Sequence, residues 1–361
     1  MKINNRKYQS IWYSKDDNNI KIINQNKLPF HIETLTLSCT KDVINAISKM
    51  KVRGAPLIGC TGAFGVYLSC KKSSKTENIE KDCEDIVAAR PTAVNLKWAV
   101  RKVKEKIFSF PSEKRESEAL KEALLIMEED IHNCKLIGVH GSEVIKQMHR
   151  NNNSVINILT HCNAGWLATV DWGTATSPIY HAKRAGIDIH VWVDETRPRF
   201  QGAQLTSFEL NNENVENTII SDNTGGYLMF KKRVDMCITG ADRIMSNGDV
   251  FNKIGTYEKA LVAQANNIPF YVAAPVSTID FSESISEQIV IEERSENEMK
   301  IFSYTHNGKY HEFDIYPKNS KCLNIAFDIT PSKLITGLIC EYGIFECNRE
   351  GIEKIRRELS K

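Results

Sequence analysis

The chain of 361 residues is 42% hydrophobic and 25% charged, and its formal net charge at pH 7 is +2. A chain of this length can bury one large core or two ordinary ones, and this composition is typical of a soluble globular protein. The near balance of charges argues against a surface for nucleic acid or membrane lipid, so we expect neither as a partner.

The cellular compartment is suggested by the amino-terminus and by the cysteines. The first residues lack the apolar segment of a signal peptide, and no apolar run in the chain reaches the roughly 18 residues of a membrane span. Ten cysteines are scattered without a C-x-x-C pair, which favours reduced thiols over a disulfide framework or a zinc site. We therefore expect a cytoplasmic protein without a metal.

The first part of the chain has a mixed pattern. Short β-like runs within residues 8–38 predict a small antiparallel sheet, and helical patterns occupy much of residues 41–138. We place the connection between two domains near residues 112–145. The prediction is an N-terminal domain of residues 1–130, with a small antiparallel sheet plus helices, and a catalytic domain of residues 131–361.

From about residue 155, apolar β-branched runs alternate with helical patterns. Five such runs are present, and a helix is expected after each of the first four. This alternation predicts an α/β fold with a parallel sheet that is covered by helices on both faces.

Polar residues follow four of the five predicted strands, at the point where each strand ends. Ligands of parallel α/β sheets bind beyond the carboxyl ends of the strands, so these residues indicate an active site at one edge of the sheet. They are His161–Asn163, Asp194–Arg197, Ser221–Asn223 and Gly240–Arg243.

Cys162 is the first candidate for catalysis, because it ends the apolar run "ILTHC". His161 is adjacent, but successive residues of a strand point to opposite faces, so it is a poor base for the thiol. Cys162 is then either a thiol that handles a proton, with its pKa set by Asn163 and nearby N–H groups, or a buried structural cysteine.

Asp242 is the second candidate, at the end of "VDMCITGAD". Partial desolvation at a strand end raises the pKa of a carboxyl group and suits it to hold a proton near neutral pH. The competing interpretations are a helix N-cap and an ion pair with Arg243.

Several loop segments have the composition of an anion site, although the charged stretch 194–206 also fits a solvated surface loop. An arginine before a helix start, an amide side chain before a helix, and a lysine can together hold one phosphate group. The combination indicates a basic pocket for a small phosphorylated molecule. Its candidate residues are Arg53 with Gly54 and Ala55, Arg90, Gln201, Asn252 and Lys253.

Two nucleotide-binding classes are not supported. The stretch "GCTGAFG" (59–65) differs from G-x-G-x-x-G and does not follow a predicted strand, so the dinucleotide fingerprint is missing. The chain also contains no G-x-x-x-x-G-K-[ST] motif, which argues against a P-loop NTPase.

An ordered set of stretches resembles the methylthioribose-1-phosphate isomerase family. That family is related to the regulatory subunits of the eukaryotic initiation-factor-2 exchange factor and to ribose-1,5-bisphosphate isomerases. The resemblance covers residue 52 to about residue 345. The matching stretches include "VRGAPLIG", "RPTAVNL", "ILTHCNAG", "DETRPRFQGAQLTSFEL" and "GADRIMSNGDVFNKIGTYEKALVA".

The resemblance implies an aldose–ketose isomerase of methionine salvage, which converts 5-methylthioribose 1-phosphate to 5-methylthioribulose 1-phosphate. It further implies a Rossmann-like parallel-sheet C-terminal domain, a smaller mixed α+β N-terminal domain, a homodimer, and neither metal nor organic cofactor. Cys162 and Asp242 match the catalytic pair. The substrate-binding positions are matched by Arg53, Gly54, Ala55, Arg90, Gln201, Asn252 and Lys253.

Three departures from the family pattern keep the sugar's identity open. They are Trp166, "DWGTATSP" (171–178) and "DNTGG" (222–226), and we expect them near the substituent on the sugar's C5. An isomerase of 5-deoxyribose 1-phosphate or a related 1-phosphorylated pentose is therefore an alternative. A non-catalytic regulatory subunit and a thiol hydrolase that uses Cys162 are alternatives of other classes.

Overall fold

The fold is taken from a computed structural model, which describes residues 1–152, 154–282, 289–306 and 309–360. The chain begins with a two-stranded antiparallel pair and continues into a three-stranded antiparallel sheet of order β3-β4-β5. The small antiparallel sheet predicted within residues 8–38 is thereby confirmed. These strands are β1 Lys2–Ile3, β2 Arg6–Lys7, β3 Ile11–Ser14, β4 Asn19–Ile23 and β5 Thr34–Leu37.

Helices form the rest of the first part. Residues Ala55–Cys70 of α2 are buried on every side, as expected for a helix that is apolar all round. The 38-residue helix α5 covers most of the predicted connection at 112–145, and the predicted domain limit at residue 130 lies inside it. The helices are α1 Thr40–Ser48, α2 Ala55–Lys72, α3 Thr76–Ala88, α4 Val94–Phe108 and α5 Arg115–Asn152.

Strands and helices alternate in the second part. The strands are β6 Ile156–Thr160, β7 Ile189–Asp194, β8 Glu216–Ile220, β9 Met236–Thr239, β10 Arg243–Met245, β11 Val250–Lys253, β12 Phe270–Ala273, β13 Ile279–Asp280, β14 Ile301–His306, β15 Lys309–Asp314, β16 Phe327–Thr330, β17 Gly337–Cys340 and β18 Gly343–Phe345. The helices are α6 Ser177–Arg184, α7 Ser207–Asn212, which continues a π-helical turn Gly202–Thr206, α8 Thr224–Phe230, α9 Thr256–Ala265, α10 Asn297–Lys300 and α11 Arg349–Glu358. Short 3-10 turns are present at Gln25–Lys27, Ser112–Lys114, Trp166–Ala168, Val276–Thr278 and Ser332–Leu334.

The central sheet has seven strands in the order β18-β17-β12-β9-β6-β7-β8. All neighbours are parallel except the edge pair β17 and β18. The five strands predicted from the alternating pattern are present, and the mixed α/β class is confirmed. Numbered along the chain, the six parallel strands lie in the order 3-2-1-4-5-6, so the topological switch point falls between β6 and β9.

One predicted element is wrong. We expected a helix directly after Asp242, but the chain forms the β10–β11 hairpin before α9 begins. Gly248 in the turn adopts φ +89°, and its N–H donates to the carbonyl of Met245. The hairpin belongs to a second sheet of order β13-β10-β11-β16, which the sequence pattern did not reveal.

Buried apolar residues form three clusters, one in the amino-terminal part and one on each face of the central sheet. Adjacent β6 residues Ile158 and Leu159 belong to different clusters, because side chains alternate across a strand. Across the described ranges, no helix has the length and apolar character needed to cross a membrane.

Candidate active site

Cys162 and Asp242 lie at the same edge of the sheet, because each follows one of the two strands at the switch point. Strands β6 and β9 are paired in parallel, with Leu159 opposite Cys237. The loops that follow them also meet: a Cβ atom on Gly240 would come within 2.6 Å of the Ala164 Cβ. This close approach requires a glycine at position 240.

The backbone of Cys162 has an unusual conformation, with φ +65°. A left-handed conformation at a non-glycine residue costs about 1–3 kcal/mol, so its surroundings must hold it. The Cys162 N–H donates to Thr196 Oγ1 over 2.8 Å, and the Cys162 carbonyl accepts from Thr206 Oγ1 over 2.7 Å. Two threonines of the neighbouring loop therefore fix this cysteine at the strand end.

The ring of His161 is engaged away from the Cys162 thiol, although both residues follow β6 and do not belong to it. Its Nδ1 lies 2.9 Å from Asp194 Oδ2, and its Nε2 lies 2.8 Å from the main-chain oxygen of Ile254. Both ring nitrogens are thus engaged elsewhere, and His161 does not act as the base of a Cys–His pair.

Arg53 is held by Asn163. The guanidinium donates to the side-chain oxygen Oδ1 of Asn163 and, over 2.6 Å, to its main-chain oxygen. The Asn163 amide in turn donates to Glu209 Oε1 over 2.8 Å. Arg53 is only 8% exposed, so its charge has a fixed position at the edge of the sheet.

Glu209 is a site residue that the sequence reasoning missed. Its carboxylate is fully buried and accepts from the N–H groups of Trp166 at 2.9 Å and Leu167 at 3.0 Å. Burial raises its pKa to about 7, and these hydrogen bonds oppose that shift. A glutamate in a helical stretch is usually exposed, so the sequence "TSFELNN" carries no signal of this role.

Asp242 is half-buried, and burial raises its pKa above the ordinary value for aspartate. The positive charges of Arg90, Lys253 and Arg53 oppose that shift, in this order of size, and Glu292 adds to it. The result favours a protonated carboxyl more than in an ordinary aspartate.

Neither competing interpretation of Asp242 holds. Strand β10 follows it directly, so it is not a helix N-cap. The neighbouring Arg243 is 3.7 Å from Asp280 and donates to the carbonyl of Thr92. The main-chain N–H of Asp242 donates to the carbonyl of Phe251, which ties it into the hairpin.

Cys162 and Lys253 share the electrostatic environment of Asp242. Burial raises the pKa of the Cys162 thiol, while the charges of Arg53 and Lys253 lower it and that of Asp242 raises it. Burial lowers the pKa of Lys253, whereas Cys162 and Asp242 raise it. The thiol, the carboxyl and the ammonium group therefore face one another closely enough to influence each other's ionisation.

Arg90 has an acidic partner. Its Nη2 lies 3.2 Å from Glu292 Oε2, and its buried Nε has no partner within the described part of the chain. The basic neighbours Arg90 and Arg294 lower the pKa of Glu292 against the effect of burial. Arg90 thus has unused donor capacity beside Asp242.

Gln201 and Asn252 are both buried, and they differ in their contacts. The Gln201 side-chain oxygen has no partner among the residues the structure describes, although only 4% of this residue is exposed. The Asn252 amide donates to Thr256 Oγ1 over 3.0 Å, at the start of α9. An unpaired buried acceptor such as that of Gln201 is common where a ligand completes the hydrogen bonding.

Five of the predicted residues line one of two cavities, whereas Cys162, Gly54, Asn252 and Lys253 line neither. A cavity of about 750 Å³ is lined by Arg53 and Gln201 together with apolar side chains, among them Met50, Phe200 and Phe302. A much smaller one, of about 30 Å³, is lined by Ala55, Arg90 and Asp242 among others.

Gly54 lies between Arg53 and the start of α2. It adopts φ +91°, and a Cβ atom there would come within 2.4 Å of the Ala168 oxygen. Both the conformation and the close approach therefore require glycine at this position.

The expected position of the three departures, near the substituent on the sugar's C5, stays a prediction. In the described chain, none of Trp166, residues 171–178 and residues 222–226 lines either of these two cavities. Trp166 is fully buried in the core of one sheet face. The Trp172 ring packs 4.6 Å from the His181 ring, with the Arg184 guanidinium 4.5 Å from it.

One group of side chains has the composition of a metal site. The potential ligand atoms of His161, Asp194 and Asp222 lie within 4.8 Å of one another. Lys259 Nζ lies 3.5 Å from Asp194 Oδ2 and donates to the main-chain oxygen of Asp222 over 2.6 Å. The lysine ammonium already supplies a positive charge to this group.

Comparisons with known proteins identify the family of the chain. Residues 51–347 match the model of the initiation factor 2 subunit family. A methylthioribose-1-phosphate isomerase of Paramagnetospirillum magneticum is 48% identical over 355 residues, which is 98% of each chain.

Two solved structures are also similar over nearly the whole chain. The 5-methylthioribose 1-phosphate isomerase of Pyrococcus horikoshii is 35% identical with a TM-score of 0.83, covering 98% of this chain and 97% of that one. A protein of A. fulgidus, described as translation initiation factor eIF-2B subunit delta, is 36% identical with a TM-score of 0.78, covering 96% and 100%. On these matches, the chain belongs to the initiation factor 2 subunit family and, within it, to the methylthioribose-1-phosphate isomerases.

Proposed function

We propose that this protein is an aldose–ketose isomerase that converts 5-methylthioribose 1-phosphate to 5-methylthioribulose 1-phosphate in methionine salvage. The observation that carries the proposal is the pairing of Cys162 and Asp242 at the switch point of the sheet, under the charges of Arg53, Arg90 and Lys253. The names of the relatives from Paramagnetospirillum magneticum and Pyrococcus horikoshii support it.

The buried cations would hold the phosphate group of the substrate. Arg53 is fixed by Asn163, Arg90 has an unpaired buried Nε, and Lys253 is 7% exposed. A phosphate dianion suits such a set, because guanidinium groups bind its oxygens through several N–H donors. Gln201, Asn252 and the backbone at Gly54 and Ala55 complete the proposed substrate contacts.

The chemistry explains why a proton donor is needed. The anomeric carbon carries the phosphate, so the sugar is locked as a ring and cannot open spontaneously to an aldehyde. We assign to Asp242 the proton that goes to the ring oxygen as the bond between that oxygen and C1 breaks. Its raised pKa keeps this proton available at higher pH than in an ordinary aspartate.

The second step moves hydrogen from C2 to C1. The raised pKa of Cys162 makes it a thiol near neutral pH, which is poorly suited to remove a proton from carbon. We therefore assign a direct route: hydrogen leaves C2 with its electron pair and bonds to C1, and the 2-hydroxyl proton passes to the Asp242 carboxylate. This leaves a ketone at C2, restores Asp242, and gives Cys162 the role of stabilising the reacting carbon.

The same residues would process a related sugar. A 5-deoxyribose 1-phosphate or another 1-phosphorylated pentose would present the same C1 and C2. The larger cavity is lined by apolar side chains such as Met50 and Phe302 and by basic ones such as Lys27 and Arg199. The assay of the three sugars below therefore decides the group on C5.

A second function is favoured by one observation, the 36% identity to the A. fulgidus protein named as a translation-factor subunit. A non-catalytic regulatory subunit would have no use for a proton donor and a fixed thiol at the switch point. A thiol hydrolase is disfavoured because His161, the histidine beside Cys162, is bonded to Asp194 and Ile254.

The remaining expectations are part of this proposal. They are a homodimer in the cytoplasm, a reaction without metal or organic cofactor, and a division into residues 1–130 and a Rossmann-like domain of residues 131–361. Size-exclusion chromatography with light scattering measures the oligomeric state.

The test is a side-by-side assay of 5-methylthioribose 1-phosphate, 5-deoxyribose 1-phosphate and ribose 1,5-bisphosphate, with kcat/KM for each. We expect the first to be preferred by at least about tenfold, which needs only about 1.4 kcal/mol in the pocket. Cys162→Ser and Asp242→Asn should each reduce turnover severely while the chain remains folded. Full activity in both variants would remove the mechanism, and no turnover of any of the three sugars by the unaltered chain would remove the function.

A further inference from the structure

The ring of His161 connects the two segments that carry Cys162 and Lys253. His161 directly precedes Cys162, and its Nε2 lies 2.8 Å from the main-chain oxygen of Ile254, which directly follows Lys253. Its Nδ1 lies 2.9 Å from Asp194 Oδ2 at the end of β7. The side chain is 1% exposed, so these two contacts account for both of its ring nitrogens.

We propose that His161 is a positioning residue of the isomerase, and that its ring is doubly protonated and fixes the Cys162 segment against the Lys253 segment. This inference rests on the function proposed above. It assigns to His161 no contact with the substrate, because the ring is buried behind the strand ends.

The hydrogen-bond partners decide the charge of the ring. A main-chain oxygen only accepts hydrogen bonds, and so does an ionised carboxylate. A neutral imidazole has a single N–H and would leave one nitrogen lone pair facing an acceptor, whereas the imidazolium donates to both Ile254 and Asp194.

The charges packed around the ring are consistent with an imidazolium. Lys259 Nζ forms an ion pair with the same Asp194 oxygen at 3.5 Å, and such a pair requires the carboxylate form. Asp328 lies beside the segment that the ring contacts, because its carboxylate accepts from the N–H of Gly255 over 2.7 Å. Asp222 is a third carboxylate in this region, and it accepts from the N–H groups of Thr196 and Arg197. The surroundings therefore supply the carboxylates of Asp194, Asp222 and Asp328 and the ammonium of Lys259.

Each connected segment also has contacts of its own, and the ring supplies the hydrogen-bonded link between the two. On one side, Cys162 has its left-handed backbone conformation held by two threonines. On the other side, the N–H of Ile254 donates to the Ala326 carbonyl, and the N–H of Gly255 donates to Asp328 Oδ2 over 2.7 Å.

Gly255 leaves the space that the His161 ring occupies. Its φ is +100°, and a Cβ atom there would lie 3.2 Å from His161 Nε2. Both the backbone conformation and the approach of the ring therefore favour glycine at this position.

The consequence for catalysis is specific. Loss of the ring changes the distance between the Cys162 thiol and the Lys253 ammonium, whereas Arg53, held by Asn163, stays in place. A displacement of about 1 Å at reacting groups costs about 100-fold in rate. We therefore expect His161→Gln to lower kcat by about 100-fold and to raise KM by a smaller factor, because Lys253 is also among the proposed phosphate-binding residues.

The matched control is His190→Gln. His190 lies on β7, and its Nε2 contacts Thr218 Oγ1 on the edge strand β8, so it makes no contact with either connected segment. This variant should keep the kcat of the unaltered chain, and both variants should keep its far-ultraviolet circular dichroism.

The charge is tested by nitrogen NMR of the full chain labelled with ¹⁵N in the histidine rings, with the His161 signals assigned by their loss in His161→Gln. We expect two protonated ring nitrogens at neutral pH. One unprotonated nitrogen would overturn the proposal, and so would an unchanged kcat or a loss confined to KM in the folded His161→Gln variant.

If His161→Gln does not fold, the variant Asp194→Asn tests the proposed role of the His161 ring. Asparagine keeps the shape and offers an N–H to Nδ1, so the ring becomes neutral while its contact with Ile254 persists. We expect a single protonated ring nitrogen and a kcat reduced at least about tenfold; an unchanged kcat would overturn the role of the charge. Absence of isomerisation by the unaltered chain would instead overturn the function proposed above, which the wild-type assay reports separately.

Discussion

Glu209 accepts a hydrogen bond from the side-chain amide of Asn163 over 2.8 Å, and this contact orients the amide. With its N–H₂ group facing the carboxylate, Asn163 presents its Oδ1 to the guanidinium of Arg53. A fully buried acid on α7 thereby determines the position of a cation that the proposed substrate binds.

Substitution Glu209→Gln should weaken substrate binding more than it slows the reaction. The new N–H₂ group would replace one carboxylate oxygen and face the N–H of either Trp166 or Leu167, and the contact with Asn163 would lose its charge assistance. We expect KM to rise by about tenfold, since such a bond contributes about 1.5–3 kcal/mol, with kcat reduced much less. Steady-state kinetics measure this, with the exposed Glu216→Gln as control; an unchanged KM would show that Arg53 is positioned without Glu209.

The pH dependence of turnover should report Asp242. If its proton starts the reaction, kcat falls as the pH rises through its pKa, which burial places above the ordinary value of 3.8. The measurement is a pH profile of kcat, repeated on the residual activity of Cys162→Ser. The alkaline fall should remain in that variant, because it belongs to the carboxyl; its disappearance would assign the fall to the thiol.

The hydrogen that leaves C2 should be retained in the product. A thiol with a raised pKa does not serve as a base, so direct transfer to C1 involves no exchange with water. Turnover in deuterated water, followed by NMR or mass spectrometry, should give a product without deuterium at C1. Substrate deuterated at C2 is the complement and should yield deuterium at C1, whereas solvent deuterium at C1 would establish a proton-transfer route.

Glu341 should make the folded state less stable as the pH rises. Its carboxyl accepts from the N–H of Val276, and burial raises its pKa from 4.5 to about 7. Between these values the folded chain holds a proton that the unfolded chain has lost, so the stabilisation is complete below pH 4.5 and is lost as the pH approaches about 7. A pKa difference of this size corresponds to roughly 3 kcal/mol.

Chemical denaturation at pH 4.5 and pH 7.5 measures the effect. In Glu341→Gln the free energy of unfolding should decline less between the two values than in the unaltered chain. The exposed Glu346→Gln is the control and should follow the unaltered chain. An equal decline in all three proteins would contradict the assignment.

Much of the site was predictable because parallel sheets obey simple rules. The five apolar runs from residue 155 onward are strands, and the residues that follow them, Cys162 and Asp242 among them, meet at one edge. His161 was also predicted to be a poor base for Cys162, and its ring nitrogens contact Asp194 and Ile254 instead. These inferences depend on local periodicity, which a sequence displays directly.

Other features of the structure could not be predicted from local patterns in the sequence. We expected a helix where the β10–β11 hairpin lies. The hairpin was not predictable, because its short strands gain their partners from β13 and β16, which are distant in the chain. The complete burial of Trp166 in one core cluster was likewise not visible in the sequence pattern.

The sequence by itself determined the α/β class, the strand-end location of the proposed site and the identity of its acid, thiol and basic residues. Only the tertiary structure decided that Glu209 orients Asn163 towards Arg53, and that His161 joins the Cys162 segment to Ile254. The physical reason is that a buried polar group must find a hydrogen-bond partner, and which partner it finds depends on how distant segments pack.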